Sequence, residues 1–532
     1  MKLHHIPFQN TGYFSKIICD YLDKKTELSQ FYENFPDLEG FRKQLELRSH
    51  SKLDSESHRK NLVNTLNKQY NLFKPRELTT KNILALESAD TYTITTGHQL
   101  NIFTGPLYFL YKIITAINLT KTLKKEFPNY NFVPVYWMAT EDHDFDEINF
   151  LNLKEKKISW NRQSSGAVGR LKTEGFDTVF EEFSKLVGTT RNASFLKELF
   201  ESAYLNHSNL TDATRYLVNE LFGDYGLVII DGDDKNLKEQ FEPIIKDELL
   251  HRKSYTEVSK TNKKLNENYN IQVNPREINL FYLKENLRER IILENNQYKI
   301  NNTNLRFSEE EILSELSSFP ERFSPNVIMR PLFQETVLPN LCYIGGGGEL
   351  AYWFQLKGCF TEFNTPFPIL LLRNSVLLAS EKQLVKSAKL NISLQELFIK
   401  QEELVSKKVK EISEIKIDFS EQKKHLKQQF VGLKELAKQT DVSFSGAVNA
   451  QEIKQLNGLE NLEKRLLRAQ KRKLSDVVER IVLLQNELFP NQSLEERTRN
   501  FSEYYLKLGN DFIPMLVKGI KPLQLEYGII EY

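Results

Sequence analysis

The sequence predicts an α/β fold in which a parallel sheet, built from βαβ units and interrupted by insertions, is followed by a helical coiled-coil region. Residues 91–95 and 132–138 are rich in β-branched and aromatic side chains, and a segment with helical apolar spacing joins them. A third strand at 226–233 has the continuous apolar run of a strand that is buried on both faces, and it ends in two acids. From 376 to 489 glycine and proline almost vanish and Lys, Glu, Gln and Leu take over, which favours long helices.

The first βαβ unit spans residues 91–138. Thr104 is predicted as the N-cap of its helix, and Pro106 lies in the first turn, where a missing N–H costs nothing. Free N–H groups at this helix start can hold an anion. Because such crossovers are right-handed and their strands parallel, Gly97 and His98 are expected to face the acidic loop after the second strand across a crevice.

Two insertions are expected in the sheet-containing part of the chain, near 152–210 and 255–320. Residues 1–85 show helical spacing and predict a lead-in that packs on the sheet. The other predicted elements are helices at 211–222 and 235–250, short strands at 272–283 and 290–293, strands at 327–331, 341–344 and 368–372, a flexible glycine loop at 345–348, and a helix at 349–356.

The chain is expected to divide into a sheet-containing core at 1–375, a helical coiled coil at 376–489 and a C-terminal segment at 490–532. Alternating apolar residues at 523–530 predict a strand that returns to the globular body.

Heptad spacing in the helical region predicts coiled-coil packing. Ser393 to Glu396 form a capping-box pattern. Breaks near 413–418 and 441–446 divide the region into antiparallel arms. A single helical hairpin can bury its own apolar heptad positions. Any apolar heptad positions that stay exposed would favour a dimer.

Composition excludes several classes of protein. The 532 residues are too many for one compact core, and 72 Lys+Arg against 71 Asp+Glu leave no bulk basic excess for nucleic acid or a membrane surface. Cys19, Cys342 and Cys359 are widely spaced and form no C-x-x-C, so neither a disulfide framework nor a zinc ribbon is indicated. Without a signal-peptide core at the N-terminus or an apolar run of membrane-spanning length, a soluble cytoplasmic protein is expected.

The acidic loop Glu141-Asp142-His143-Asp144-Phe145-Asp146-Glu147 packs five carboxylates and an imidazole into seven positions. Their mutual repulsion favours a bound cation, an amine substrate or a neighbouring base. His143 is therefore a candidate base, with Asp142 or Asp144 binding an ammonium group or a nucleotide-bound Mg²⁺. The alternative is a solvated loop whose carboxylates cap a helix.

Other candidates have equally plain alternatives. The run Gly345 to Gly348 permits close backbone approach to a ligand and Glu349 can orient an amine or a ribose, or the run is only a turn before a helix. Arg330 and Arg373, each predicted at or next to a strand end, are candidate forks for carboxylate or phosphate, or form structural salt bridges. Asp231 and Asp233 are expected on the functional edge.

Competing functions remain open at this stage. A metal-dependent hydrolase would use His98, His143 and nearby acids as ligands, although the sequence contains no H-E-x-x-H helix. A tRNA-binding protein would need a basic patch. A non-catalytic coiled-coil scaffold would have a degenerate core.

Three groups of motifs carry a resemblance to a known family. They are Thr96-Gly97-His98-Gln99 with Phe103-Thr104-Gly105-Pro106-Leu107-Tyr108, Phe132-Val133-Pro134-Val135 continuing to the acidic loop, and Arg330-Pro331 with Gln334 leading to Gly345-Gly346-Gly347-Gly348-Glu349-Leu350-Ala351-Tyr352-Trp353. Together with the late coiled-coil region, they resemble the bacillithiol-biosynthesis cysteine-adding enzymes, the cysteine ligases, over essentially the full length.

This resemblance implies a Rossmann-like core related to class I nucleotidyltransferases, with connecting insertions and a coiled-coil domain that forms a homodimer. It implies the last step of bacillithiol synthesis, in which the carboxyl of cysteine is joined to the amine of glucosaminyl-malate through an activated carboxyl. ATP with Mg²⁺ is the implied cosubstrate, although the chain has neither an H-I-G-H nor a K-M-S-K-S string. Neither nucleic acid nor a membrane is an implied partner.

The resemblance also implies roles for site residues. His143, Asp142 and Asp144 would be catalytic, and no residue is assigned to a resident metal. Family members often carry glutamine at the place of His98 and proline at that of Gly347, so His143 is the stronger catalytic candidate. The implied cofactor-binding residues are Gly97, His98, Thr104, Gly105, Gly345, Gly346 and Glu349.

Overall fold

The structure is a computed structural model that describes residues 1–51, 53 and 55–532. Its strands are β1 (Lys2–Ile6), β2 (Thr91–His98), β3 (Asn131–Met138), β4 (Phe150–Leu153), β5 (Lys156–Ser159), β6 (Val228–Asp231), β7 (Leu280–Lys284), β8 (Leu287–Glu294), β9 (Gln297–Ile300), β10 (Arg306–Phe307), β11 (Phe323–Pro325), β12 (Asn340–Gly345), β13 (Ile369–Leu372), β14 (Val376–Ala379) and β15 (Tyr527–Glu531).

The helices are α1 (Lys16–Leu22), α2 (Leu38–Ser49), α3 (Glu56–Gln69), α4 (Glu77–Ala85), α5 (Tyr108–Glu126), α6 (Phe145–Ile148), α7 (Phe176–Val187), α8 (Arg191–Tyr204), α9 (Leu210–Phe222), α10 (Lys235–His251), α11 (Lys253–Leu265), α12 (Glu309–Ser318), α13 (Met329–Val337), α14 (Gly347–Trp353), α15 (Lys357–Glu362), α16 (Glu381–Lys389), α17 (Gln401–Ile412), α18 (Ser420–Ala437), α19 (Val442–Lys473), α20 (Ser475–Leu488), α21 (Ser502–Leu508) and α22 (Phe512–Gly519). Among the described residues, none of these helices is long and apolar enough to cross a membrane.

The centre of the fold is a five-stranded sheet in the order β13-β12-β2-β3-β6, and every pair in it is parallel. The register places Gly97 opposite Trp137 and His98 opposite Met138. Because the strands are parallel, their carboxyl ends share one edge, where ligands bind in open α/β sheets. The predicted α/β class and the three predicted parallel strands are confirmed.

The crossover helix α5 is buried along most of its length against the sheet, as the apolar spacing predicted. The prediction of Thr104 as its N-cap is wrong, because Leu107 takes that position and Thr104 has a positive φ of 68°. The loop before the helix is instead held from the C-terminal segment. Asn500 donates hydrogen bonds to the carbonyls of Phe103 and Gly105, both at 2.7 Å.

The predicted strand at 327–331 is also wrong, because Met329 begins helix α13. The side chain of Asn326 accepts hydrogen bonds from the N–H groups of Ile328 and Met329, at 2.9 and 3.3 Å. Pro331 lies in the first turn, where a helix does not need its N–H. Arg330 therefore lies on a helix and not at a strand end.

Three smaller boundaries differ from the prediction. In the region 272–283 only β7, from Leu280, is a strand, and the glycine run is largely absorbed by β12 and by α14, which begins at Gly347. The second break in the helical region is shorter than 441–446, since α19 begins at Val442. There Asp441 accepts a hydrogen bond from the N–H of Phe444 at 2.8 Å.

Two further sheets surround the core. Strands β10-β9-β8-β7-β11 form an antiparallel sheet from the second insertion. Strand β15 lies between β1 and β14, antiparallel to the first and parallel to the second. The returning strand near 523–530 is thus present at Tyr527–Glu531, whereas β1 was missed inside the predicted helical lead-in.

The helical region contains an arm in which α18 packs on α19. Its buried seam is small, consisting of Phe430, Ala437 and Val448 with Leu426 packed against them. Several large apolar side chains stay exposed on the arm, namely Val431, Leu433, Leu436, Val442, Phe444, Ile453 and Leu462. The predicted break after α17 is present, and the phase shift in the heptads falls at Leu474, between α19 and α20.

Candidate active site

A cavity of about 410 Å³ opens at the carboxyl edge of the sheet, where β2 and β3 end. Gly97 and His98 line one wall, and Glu141, Asp142 and Asp144 of the acidic loop line another. The predicted crevice between these two segments is therefore present. The amide of Gln99 joins them, since it donates to Asp142 Oδ2 at 2.9 Å and to Glu147 Oε2 at 2.8 Å.

The floor of the cavity holds an ion pair between a buried lysine and a partly exposed glutamate. Lys112 Nζ of α5 lies 2.5 Å from Glu349 Oε1 of α14 and donates to the carbonyl of Gly97 at 2.8 Å. Tyr343 donates to Glu349 Oε2 at 2.7 Å. Burial alone would raise the pKa of Glu349, but Lys112 and Tyr343 outweigh it and hold the pKa below its usual value. Glu349 is therefore ionised in the cavity.

Gly97 packs closely against this floor. A Cβ there would lie 3.3 Å from the hydroxyl of Tyr343 and 3.6 Å from Nη1 of Arg330. The contact with Arg330 is an ordinary one, but the contact with the Tyr343 hydroxyl is tight, so a side chain at this strand end would require Tyr343 to shift. The backbone carbonyl of Gly97 still contributes directly, as the acceptor for Lys112.

Asp142 is the most strongly held acid of the loop. Burial would raise its pKa, but hydrogen bonds from His143 and Gln99 and the charge of Arg288 hold the pKa of this carboxyl well below its ordinary range. The backbone N–H of His143 donates to Asp142 Oδ1 at 2.8 Å. Asp142 thus presents a fixed negative charge to the cavity at neutral pH.

His143 does not line this cavity. It faces a neighbouring groove, and Arg288 Nη1 of the insertion sheet lies 2.6 Å from its Nδ1. A guanidinium can only donate, so Nδ1 is the acceptor and a neutral His143 carries its ring proton on Nε2. That nitrogen lies 3.8 Å from Asp144 Oδ1, beyond hydrogen-bond distance.

Glu141, Asp231 and Asp233 belong to a network that extends from the cavity wall to β6. Glu141 pairs with Lys238, whose Nζ also lies 3.7 Å from Asp233 Oδ1, and Arg170 holds Asp233 with two bonds at 2.7 and 2.8 Å. Burial raises the pKa of Asp231, and the charge of Asp233 adds to the effect. Asp231 and Asp233 lie on the predicted edge but do not line the cavity, and they tie β6 to the acidic loop.

Two side chains of the cavity keep uncommitted nitrogens. His98 Nε2 and Arg330 Nη2 are buried and make no hydrogen bond within residues 1–51, 53 and 55–532. The His98 ring stacks on Tyr108 at 5.4 Å. Burial lowers the pKa of His98 well below its ordinary value, and Lys112 and Arg373 add to the effect, so the imidazole is neutral. Both nitrogens are available to a ligand.

A second cavity, of about 970 Å³, adjoins the first and shares Tyr108, Glu349 and Tyr352 with it. Gly346, Gly347 and Gly348 line it. Arg373 and Arg497 also line it. Gly346 to Gly348 therefore face a space of the size that nucleotides and other small molecules occupy, whereas Gly345 ends β12 and lines neither cavity.

Arg373 follows β13 directly and reaches this second cavity. Its Nη2 donates to Glu496 Oε1 at 2.7 Å, and its guanidinium lies 5.0 Å from the centre of the Tyr108 ring. Its Nε is buried and makes no hydrogen bond in the described part of the chain. Arg373 is thus both a structural ion pair and a donor with one position left for an anion.

Thr104 and Gly105, predicted to hold an anion, line neither cavity. Gly105 has a φ of 60°, and a Cβ there would lie 2.6 Å from Cβ of Asn101. The N–H of Leu107 donates to the carbonyl of Arg499 at 2.9 Å, so that donor is already used. These residues form a structural turn against the C-terminal segment.

Asp142, His143 and Asp144 form the one group among the described residues whose ligand atoms lie close enough together for a metal ion, within 4.8 Å. The donor set does not fit a resident divalent cation. Both oxygens of Asp142 accept hydrogen bonds, and the guanidinium of Arg288 occupies Nδ1 of His143. His98 is not part of the group, which disfavours the metal-hydrolase hypothesis.

Comparison with known proteins identifies the family. The model of the bacillithiol biosynthesis BshC N-terminal Rossmann-like domain matches residues 1–374, and that of the BshC C-terminal coiled-coil domain matches residues 376–532. The chain belongs to the BshC family.

Relatives from the BshC family match along nearly their whole length. A protein of Flavobacterium johnsoniae, named "Putative cysteine ligase BshC", is 58% identical over 525 residues, covering 99% of each chain. Proteins of the same name from Flavobacterium psychrophilum and Christiangramia forsetii are 57% and 55% identical, covering 99% and 100% of this chain and 99% of each relative.

Three residues of this BshC site were missed from the sequence. Lys112 had a signal, because a lysine inside a helix that is apolar all round needs a buried partner. Tyr343 sits in an apolar strand and looks like core. Arg288 had no signal, since it lies 145 residues from its partner His143, on an inserted sheet.

Proposed function

We propose that this protein is a ligase that joins the carboxyl group of cysteine to the amine of glucosaminyl-malate, the last step of bacillithiol synthesis. The observation that carries the proposal is the match to cysteine-ligase relatives along 99% of the chain. Its site supports amide formation, because a cavity at the sheet edge combines fixed carboxylates with uncommitted nitrogen donors.

Cysteine would occupy the smaller cavity. Arg330 Nη2 and His98 Nε2 can donate to its carboxyl group, since neither nitrogen has another partner among the described residues. Asp142 can accept from its ammonium group because the low pKa of this carboxyl keeps it ionised. Bound at both ends, the carboxyl carbon would be held in one orientation.

The activating cosubstrate in this proposal is ATP with Mg²⁺, held in the larger cavity. Gly346 to Gly348 leave room for phosphate oxygens, and Arg373 Nε has no other partner within the described ranges. The nucleotide would supply a leaving group on the cysteine carboxyl. Because the acidic loop does not fit a resident cation, Mg²⁺ would arrive on the phosphates.

Amide formation then needs a neutral amine. Its nitrogen attacks the activated carbonyl carbon, the C–N bond forms, the bond to the leaving group breaks, and one amine proton must leave. We assign that proton to Nδ1 of His143 as general base. This nitrogen is occupied by Arg288, so the base becomes free only when Arg288 turns to an anionic group of the substrate.

The test is mass spectrometry of the purified full chain incubated with glucosaminyl-malate, cysteine, ATP and Mg²⁺. Bacillithiol with AMP would indicate an adenylate route, and bacillithiol with ADP an acyl-phosphate route. No product, both alone and in extract of a bacillithiol-producing cell, would refute the proposal. His143→Ala should lose at least about a hundredfold in turnover, whereas His251→Ala, an exposed histidine on α10, should keep it.

A cytoplasmic homodimer formed through the helical arm completes the proposal. Large apolar side chains exposed on α18 and α19 support it, since a monomer would leave them in water. Ile453→Glu and Leu462→Glu should halve the mass measured by light scattering, with Lys454→Glu as a matched control. A monomeric wild-type protein would contradict this assignment.

A further inference from the structure

A groove of about 600 Å³ lies between the acidic loop and the insertion sheet. Asp142, His143 and Asp144 form one side of it. The other side carries three arginines, Arg276, Arg288 and Arg290. We call it the arginine groove. It is continuous with the smaller cavity, because Asp142, Asp144 and Arg288 line both.

The strand geometry directs two of these arginines to one face. Arg288 and Arg290 are two residues apart on β8, so they point to the same side of the sheet. Phe281 of β7 is paired directly with Arg290, and the guanidinium of Arg288 lies 4.0 Å from the centre of its ring. The face of the sheet opposite the acidic loop is therefore positive with an aromatic centre.

Arg276 is held in the same groove by its backbone. Its N–H donates to Asn279 Oδ1 at 3.0 Å, and its carbonyl accepts from Asn279 Nδ2 at 2.9 Å. Asn279 is fully buried and also accepts from Asn326, at 2.9 Å. The loop that presents Arg276 is thus fixed to the core.

The guanidiniums of Arg276 and Arg290 are uncommitted. Neither forms a hydrogen bond, an ion pair or a ring contact with any described residue, whereas Arg252 and Arg322, which flank the insertion, are each paired with a glutamate. Glu289 also lines the groove, but its carboxylate is engaged by Asn302, whose Nδ2 donates to Oε1 at 3.3 Å and to Oε2 at 3.2 Å. Two free cations beside a fixed acidic wall form a site with separated charges.

Resting on the proposed function, we propose that the arginine groove binds the acceptor substrate in one orientation, with the dicarboxylate end on Arg276 and Arg290. The amine of the sugar then lies toward Asp144 and His143. The charge pattern of glucosaminyl-malate matches this arrangement, since it carries one ammonium and two carboxylates. Arg288, at the junction with the cavity, is the residue that an incoming carboxylate can draw away from His143.

The experiment is isothermal titration of the full chain with glucosaminyl-malate and with glucosamine, which lacks the dicarboxylate. Arg276→Gln and Arg290→Gln should each weaken binding of glucosaminyl-malate by about tenfold or more, because each removes a charge-assisted contact. Glucosamine should bind each variant within about twofold of wild type. Arg306→Gln is the matched control, because Arg306 is exposed on β10 of the same sheet and lies outside the groove.

Two outcomes overturn the inference: glucosaminyl-malate binding the double variant as tightly as wild type, or both ligands weakening to the same extent. If the wild-type chain does not bind glucosaminyl-malate at all, the proposed substrate is wrong. Titration with malate and with succinate then tests the arginine groove independently of that substrate. If the wild-type chain binds these dicarboxylates and the double variant does not, the groove is a dicarboxylate site. If the wild-type chain binds neither, the inference about the groove is wrong.

Discussion

The two partners of the ion pair between Lys112 and Glu349 are predicted to contribute unequally to stability. The side chain of Lys112 is 4% exposed and that of Glu349 is 27% exposed. In Glu349→Met, Lys112 keeps only the carbonyl of Gly97. In Lys112→Met, Glu349 keeps hydrogen bonds from Tyr343 and from the N–H of Gly346 and also meets water. Removing the glutamate should therefore cost more stability than removing the lysine.

The magnitude follows from the lysine. A buried lysine without a partner can lose its proton. For a side chain whose ordinary pKa is about 10.4, deprotonation at pH 7 spans about 3.4 pKa units, which corresponds to a free energy of about 4.6 kcal/mol. Glu349→Met should accordingly lose about 3–5 kcal/mol and Lys112→Met about 1–3 kcal/mol. The N-terminal domain, residues 1–374, contains both side chains. With an unfolding entropy of about 2.1 cal/mol/K per residue over this domain, Tm should fall by about 4–6 °C in Glu349→Met and by about 1–4 °C in Lys112→Met.

The pH dependence has a definite sign. Burial already lowers the pKa of Lys112 in the wild type, although the charge of Glu349 opposes this. In Glu349→Met the folded pKa falls further, so between that value and about 10.4 the unfolded chain binds more protons and stability rises with pH. The deficit of this variant should shrink by about 1.4 kcal/mol for each pH unit from 7 to 9. The assay is thermal unfolding followed by near-UV circular dichroism at pH 7, 8 and 9.

The double variant is the control for this reasoning. Lys112→Met with Glu349→Met replaces a buried pair by two apolar side chains of similar length, which should be less destabilising than Glu349→Met alone. If the two single effects add, if Lys112→Met is the more damaging, or if the deficit of Glu349→Met does not change with pH, the reasoning is refuted.

Three further predictions concern other parts of the molecule. Burial raises the pKa of Glu335 to about 7, so the unfolded chain binds fewer protons than the folded chain between about pH 4.3 and 7, and stability falls as pH rises through that window and levels off above it. Glu335→Gln should therefore gain about 2 kcal/mol relative to wild type between about pH 5.5 and 7 in urea unfolding; a constant difference over that window would contradict this. Gly105→Ala should lower Tm, because its φ of 60° and the contact with Asn101 leave a Cβ no room; an unchanged Tm would show that the turn adapts. Phe430→Ala should lose about 2–4 kcal/mol locally and speed amide hydrogen exchange in 420–473, without changing exchange in the central sheet.

Failures of the sequence-based prediction have identifiable causes. The apolar run 327–331 is too short for its periodicity to separate strand from helix, and the cap on Asn326 decided for helix. Thr104 has the residue type of an N-cap, but Asn500, almost 400 residues later, binds the carbonyls around it. A local sequence pattern cannot predict a hydrogen bond to a residue so distant in the chain.

The sequence by itself determined the parallel strands, their shared carboxyl edge and the presence of Gly97, His98 and the acidic loop there. Strand pattern and the handedness of βαβ crossovers are local properties, so they need no knowledge of the rest of the chain. Only the tertiary structure decided which side chains contact each other at that edge and which of them face the cavity. It paired Lys112 with Glu349 and turned His143 toward Arg288, away from the cavity. Such contacts join elements that are far apart in the chain, and they are set by how the insertions and helices pack over the sheet.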